Sequence, residues 1–323
     1  MIFGQDRAVE QFVTAWRRGS LHHAWLLAGP KGVGKATFAR DAATRVLAEA
    51  AGPAVDAPGL QTPDDHRIAR LVEAGSHPDL RWLERLTNDK TDNLARNITV
   101  DQVRSLGDLF DLTPALSPWR VVVTDSIDDL EKSAANALLK MLEEPPGNTI
   151  FFLVSHAPGR LLPTIRSRCR RLDFQALDDD AMTSVLSNAL PEQKDLQLNR
   201  VIAAAGGSAG RALSLAALDL ISLEEKALKI LRQGDPTNGR RSDLALELGK
   251  RGAGDRYAAF LEILPSMIAR EARSLSGAPR QRAVDAYSKA RELVAIAPRL
   301  SLDPASTVFQ LGGLLASIAD PLP

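Results

Sequence analysis

Ala24-Trp25-Leu26-Leu27-Ala28-Gly29-Pro30-Lys31-Gly32-Val33-Gly34-Lys35-Ala36-Thr37 carries the reading of the fold. Its first five residues are apolar without a break, as a strand buried on both faces requires. Gly29 to Lys35 then fits the pattern G-x-x-x-x-G-K, and Thr37 to Glu49 continues as a helical pattern. Strand, glycine loop and helix in that order form the context in which such a loop holds phosphate. The glycines Gly29, Gly32 and Gly34 let backbone N–H groups close around phosphate oxygens. The helix N-terminus adds partial positive charge, and Lys35 adds a full one.

Two further apolar runs, Val121 to Thr124 and Ile150 to Val154, read as buried strands. Between them Ser133 to Glu144 has polar residues at Ser133, Asn136, Lys140 and Glu143, which leaves Leu138, Leu139 and Leu142 for burial. Alternating strands and helices predict an α/β domain, a parallel sheet with helices on both faces. The stretch 51–97 breaks the rhythm with Pro53, Pro58, Pro63 and Pro78 and a polar run from Lys90 to Asn97. It reads as an insertion of loops with one helix, Asp65 to Ala74. Beyond Phe174 strand-like runs stop. Asp178, Asp179 and Asp180 open a helix, since carboxylates favour the positive end of its dipole. Asp303-Pro304 starts the last helix, an acidic cap followed by proline at the first helical position. The expected division is an α/β domain at 1–175, a small helical lid at 176–220 and an all-α C-terminal domain at 221–323.

The loop departs from a hydrolytic site in one place and its partner strand in another. The residue after the lysine normally offers a hydroxyl to Mg²⁺, and here it is Ala36. Thr37 lies one step further round the helix. Asp125, at the end of the second strand, suits the acid of a nucleotide site, but the next position holds Ser126 rather than a water-activating glutamate. Asp128 and Asp129 are off position and read as loop or cap residues. A nucleotide-type scaffold with little or no turnover is the chemical inference.

Composition narrows the rest. The chain has 323 residues, enough for two or three domains. Forty basic and forty acidic residues cancel, so no global positive field points to nucleic acid. Cys169 is the lone cysteine, which excludes an intramolecular disulfide and a thiolate-rich zinc site. It reads as a packing residue. His22, His23, His66, His77 and His156 show no ligand spacing, so no metal site is expected. Trp16, Trp25, Trp82 and Trp119 read as packing residues, and Arg17-Arg18 and Arg240-Arg241 as solvated faces. No apolar run reaches the ~18 residues of a membrane span, and Met1 to Glu10 lacks the pattern of a secretory leader. A cytoplasmic location is the expectation.

Asn136-Ala137-Leu138-Leu139-Lys140-Met141-Leu142-Glu143-Glu144-Pro145-Pro146, Leu162 to Cys169 with its Ser167-Arg168-Cys169, and Phe3-Gly4-Gln5 together resemble the bacterial clamp-loader subunits of DNA polymerase III, in the AAA+ superfamily. The resemblance is strong from Ile2 to about Phe174, moderate to about Leu215 and weak beyond. It implies an AAA+ P-loop domain, a lid and a C-terminal collar that joins neighbouring subunits. Within the family, the tau/gamma branch keeps an intact phosphate loop and an Asp-Glu pair, whereas the delta-prime branch is hydrolysis-deficient. Ala36 and Ser126 resemble the second, as do His22-His23-Ala24-Trp25 and Gly75-Ser76-His77-Pro78-Asp79. The alternative is an active motor ATPase of tau/gamma type.

The resemblance further implies that Arg168 projects into a neighbour's ATP site as a trans arginine finger, with Arg166 and Arg170 as nearby controls; the alternative is a structural arginine that pairs with an acid at the domain edge. Gly29, Gly32, Gly34, Lys35, Thr37 and Asp125 would form a degenerate nucleotide site with weak ATP or ADP binding and no required cofactor. Ser155 would fill a polar sensor position or cap its strand. The family's lid arginine falls here on Gly210, with Arg211 one place later. The cysteine-ligated zinc module that clamp-loader subunits often carry has no cysteines here. Implied partners are tau/gamma and delta subunits and, through the complex, the sliding clamp and primer–template DNA.

Overall fold

A computed structural model describes residues 2–87, 94–191 and 195–319. Two compact units emerge, Met1–Pro191 with Gly206–Gly210, and Glu192–Ala205 with Arg211–Pro323.

The first unit is built on five parallel strands in the order β2-β3-β4-β1-β5. They are β1 (Ala24–Ala28), β2 (Leu80–Glu84), β3 (Arg120–Asp125), β4 (Thr149–Ser155) and β5 (Arg170–Asp173). The helices of this unit are α1 (Asp6–Arg17), α2 (Lys35–Ala51), α3 (Arg67–Glu73), α4 (Val100–Arg104), α5 (Leu106–Asp111), α6 (Lys132–Glu143), α7 (Pro163–Arg166) and α8 (Asp179–Ala189). Strand side chains alternate between two cores, as period-two geometry demands. Trp25, Leu27, Val121, Val123, Phe152 and Val154 pack with Phe12 of α1 and Phe38, Val46 and Leu47 of α2. Leu26, Val122, Phe151 and Leu153 pack on the opposite face with Val103, Leu106, Leu138 and Leu142. Phe12 anchors the first core, with ring centroids 5.1 Å from Trp25 and 5.4 Å from Phe152. Each fully buried side chain of this size stabilises by roughly 1.5–3 kcal/mol.

The three strands visible as apolar runs are the inner ones. β2 and β5 are the two edges. β2 lies inside 51–97, so that stretch is not wholly an insertion: it supplies a strand of the main sheet as well as α3. Edge strands present polar side chains, here Arg81 and Glu84 in β2 and Arg170, Arg171 and Asp173 in β5, and so escape a search for apolar runs. The polar run from Lys90 falls partly on 88–93, outside the described residues.

The start of that stretch, 55–61, is held by a buried guanidinium. Arg45, 5% exposed, donates to Glu49 Oε1 at 2.5 Å and to the carbonyls of Ala57, Gln61 and Val55 at 2.9, 2.6 and 3.0 Å. Trp16 Nε1 donates to the other oxygen of Glu49 at 2.7 Å. The buried carboxylate of Asp79 accepts from the backbone N–H groups of Ala115, Leu116 and Ser117 at 2.7, 2.8 and 3.2 Å, which fixes the approach to β3.

The second unit is helical, with α9 (Asp195–Ala205), the later part of α10 (Ala209–Ala217), α11 (Leu220–Gln233), α12 (Gly239–Leu248), α13 (Gly254–Ser274), α14 (Gly277–Ile296) and α15 (Pro304–Ala316). Val308, Leu311 and Leu315 of α15 are buried, as are Leu223 and Ile230 of α11, Leu244 and Leu248 of α12, and Phe260, Leu264 and Ile268 of α13. Asp303 caps α15 by accepting from Ser306 N at 2.7 Å, and Asp178 caps α8 by accepting from Ala181 N at 2.8 Å. Arg241 is not on a solvated face: its guanidinium lies 4.7 Å from the Phe309 ring centroid, against the Gly312-Gly313 step of α15. Arg carries enough apolar stem to pack this way. Among the described residues no helix is long and apolar enough to cross a membrane.

Candidate functional site

The phosphate loop leaves the carboxyl end of β1 and enters α2 at Lys35, with Gly34 at a left-handed φ of 98°. Ligands of parallel sheets gather at such strand ends. Lys35 is 3% exposed and donates to Gly29 O at 2.6 Å and to Pro30 O. Burial pushes its ammonium down to about 8, against the pull of Asp125 and Asp128. Thr37 is exposed and Ala36 half-buried. On a helix one step turns a side chain by ~100°, so Thr37 cannot take over the place of residue 36.

Asp125 ends β3 directly across the ladder from Glu84 of β2. Burial raises its carboxyl above the usual range, Glu84 raises it further and Lys35 opposes both. Asp128 is a structural residue: it accepts from Ser155 Oγ at 3.0 Å, His156 N at 2.6 Å and Ala157 N at 3.3 Å. Ser155 therefore spends its hydroxyl tying β4 to the turn after β3. Asp129 accepts from Ser126 Oγ at 3.1 Å and pairs with Arg85 at 3.4 Å. Sequence reasoning missed Glu84, which is brought beside Asp125 only by strand pairing.

The loop is also gripped from the far end of the unit. Ser208 Oγ donates to Lys31 O at 3.0 Å, and Gly210 N donates to Gly32 O at 2.9 Å. A Cβ on Gly210 would stand 3.1 Å from Gly32 Cα, and one on Gly32 would meet Ser208 Oγ at 2.3 Å. Glycine at both positions is what permits the approach.

Arg168 follows α7, away in sequence from these groups. Its Nη1 donates to Thr164 O at 2.9 Å and its Nη2 pairs with Glu143 Oε1 at 2.9 Å. Arg170 is committed differently, with its guanidinium 5.0 Å from the Trp25 ring centroid. Cys169 packs against the second core, and burial pushes its thiol up to about 12, which suits packing rather than nucleophilic chemistry. Among the described residues no cluster of His, Cys, Asp or Glu is arranged to hold a metal ion. His66 and His77 serve turns, accepting at Nδ1 from Ile68 N and Asp79 N.

The Lys35 shift gives a pH prediction. In the unfolded chain its amine keeps the ordinary value near 10.5, so between pH 8 and 10.5 the unfolded state binds the extra proton. Stability linked to this group rises with pH across that window. Wild type should gain on Lys35→Met as pH climbs from 8 to 10.5, read by urea unfolding followed by tryptophan fluorescence. A difference that stays flat would show that the ammonium is not desolvated.

A family model described as "DNA polymerase III, delta subunit" matches residues 4–178. DNA polymerase III subunit delta-prime of Pseudomonas aeruginosa is 38% identical over 189 residues, 58% of this chain and 53% of that protein. DNA polymerase III subunit tau of Bacillus subtilis is 30% identical over 219 residues, 66% of this chain and 36% of that protein. The chain thus spans about half or less of the length of these curated relatives. A gamma-subunit-related protein of Thermotoga maritima superposes with a TM-score of 0.44 at 17% identity, over 95% of this chain and 98% of that one. With more than half of its residues matched by the family model, the chain belongs to the DNA polymerase III delta-subunit family of AAA+ clamp-loader proteins.

Proposed function

We propose that this chain acts as the delta-prime subunit of a bacterial clamp loader in the cytoplasm. It joins tau/gamma and delta subunits in a complex that places the sliding clamp on primer–template DNA. It hydrolyses no ATP itself and lends Arg168 to the ATP site of a neighbouring tau/gamma subunit. The observation that carries the reading is the half-exposed guanidinium of Arg168, held by surface contacts only, in a chain whose own site lacks the hydroxyl at Ala36 and the glutamate at Ser126. The grip of Ser208 and Gly210 on the phosphate loop supports a scaffold role for that loop. Weak ATP or ADP binding at Gly29, Gly32, Gly34, Lys35, Thr37 and Asp125 is compatible with it, and no zinc or other cofactor is required. The helical second unit serves as the collar that meets the neighbours.

One observation favours the rival, an active ATPase of tau/gamma type: Glu84 stands beside Asp125, where a carboxylate could orient water. The two are separated by mixing the purified chain with tau/gamma and delta subunits of the same organism. The expected result is co-elution on gel filtration, clamp- and DNA-stimulated turnover by the complex, and no Mg²⁺-dependent turnover by the chain alone. Turnover by the isolated chain that is lost in Glu84→Gln would establish the rival.

A further inference from the structure

We infer that Glu143 is a positioning residue for Arg168: it holds the guanidinium in the orientation in which a neighbour's triphosphate receives it. The inference rests on the trans-arginine reading above. Three observations carry it. Glu143 is the last residue of α6 and Thr164 lies in α7, so the two contacts to Arg168 come from different elements and meet on one side chain. Both contacts are 2.9 Å long, one from each terminal nitrogen. The side chains of Arg168 and Glu143 are 35% and 42% exposed, so the pair sits at the surface, where an ion pair adds little to stability. A contact of little structural worth that fixes both ends of a fork is best explained by what the fork does next.

The donor count agrees. A guanidinium has five N–H groups. Thr164 O and Glu143 Oε1 take one from each terminal nitrogen, which leaves Nε–H and one hydrogen on each terminal nitrogen for an incoming anion. A free arginine loses rotamer entropy when it is ordered, and a fork already held does not have to give that up when charge develops on the phosphate. Glu143 touches no nucleotide in this scheme and acts only through Arg168. Thr164, contributing a backbone carbonyl, is untouched by side-chain substitution, which makes Glu143 the accessible half of the cradle.

The test uses the reconstituted complex with five forms of this chain: wild type, Glu143→Ala, Glu143→Gln, Arg168→Ala and the Glu143→Ala, Arg168→Ala double variant. Glu143→Ala should assemble normally, keep KM for ATP within about twofold and lower kcat about fivefold to tenfold, the range expected for one side chain that must now be ordered during reaction. Glu143→Gln keeps an acceptor oxygen at the same reach and should restore kcat to more than half. In the Glu143→Ala, Arg168→Ala double variant the second change should remove the effect of the first, as coupled residues require. If Arg168→Ala lowers turnover and Glu143→Ala does not, the positioning role is overturned and the finger stands. If Arg168→Ala has no effect, the finger falls and the positioning role with it. A Glu143→Ala chain that no longer assembles would make the pair structural and overturn the inference.

Discussion

In a complex rebuilt with tau/gamma and delta subunits, Arg168→Ala should lower ATP turnover about 10³-fold at the one site the arginine serves, with assembly intact. The magnitude follows from the charge that gathers on the transferred γ-phosphate. An arginine supplied in trans neutralises it and is worth about 10³–10⁵ in rate. The lower end applies here because Arg168 already shares its charge with Glu143. Total turnover should fall at least by that site's share, and further if the sites fire in concert. Binding of ATP should change much less, since the arginine meets charge that develops only during reaction. Arg170→Ala is the control, because its guanidinium lies over Trp25 within the chain. Unchanged turnover of the Arg168→Ala complex would end the proposal that this residue reaches a neighbour's nucleotide.

Arg45→Leu should destabilise the first unit by about 1–3 kcal/mol, the cost of taking a charged donor away from its acceptors. The guanidinium is buried and binds Glu49 and the three backbone carbonyls of Val55, Ala57 and Gln61. Arg45→Lys should recover little, since one ammonium cannot match a planar fork that serves four acceptors. All four tryptophans, Trp16, Trp25, Trp82 and Trp119, lie in the first unit, so their fluorescence in urea reports that unit by itself. The chain's one cysteine, Cys169, lies outside 51–97, so this anchor uses no thiolate. A chelator should accordingly leave the wild-type transition in place. A midpoint unmoved by Arg45→Leu would mean that the loop is held by its prolines and apolar contacts instead.

The sequence announces features that are local and conceals those that are not. The inner strands, the phosphate loop, α2, α6 and the caps at Asp178 and Asp303 each depend on neighbours within a few residues, so their patterns survive in one dimension. Edge strands β2 and β5 lack that signature because one side of each meets water. Ala36 and Ser126 are legible for the same reason: each departs from the residue type expected at a position fixed by its own motif. Glu84 beside Asp125, Glu143 beside Arg168 and Ser208 on Lys31 join residues 25 to 177 positions apart, and only the assembled sheet reveals them. Arg240-Arg241 shows the opposite error, where a charged pair suggests solvent and the stem of one member finds an aromatic ring.

The close approach of Gly210 to Gly32 makes the phosphate loop answer to a segment far along the chain. A side chain at 210 would bring its Cβ within 3.1 Å of Gly32 Cα, so the backbone at one of the two has to give by a few tenths of an ångström. A substitution at 210 would therefore be felt in the phosphate loop itself.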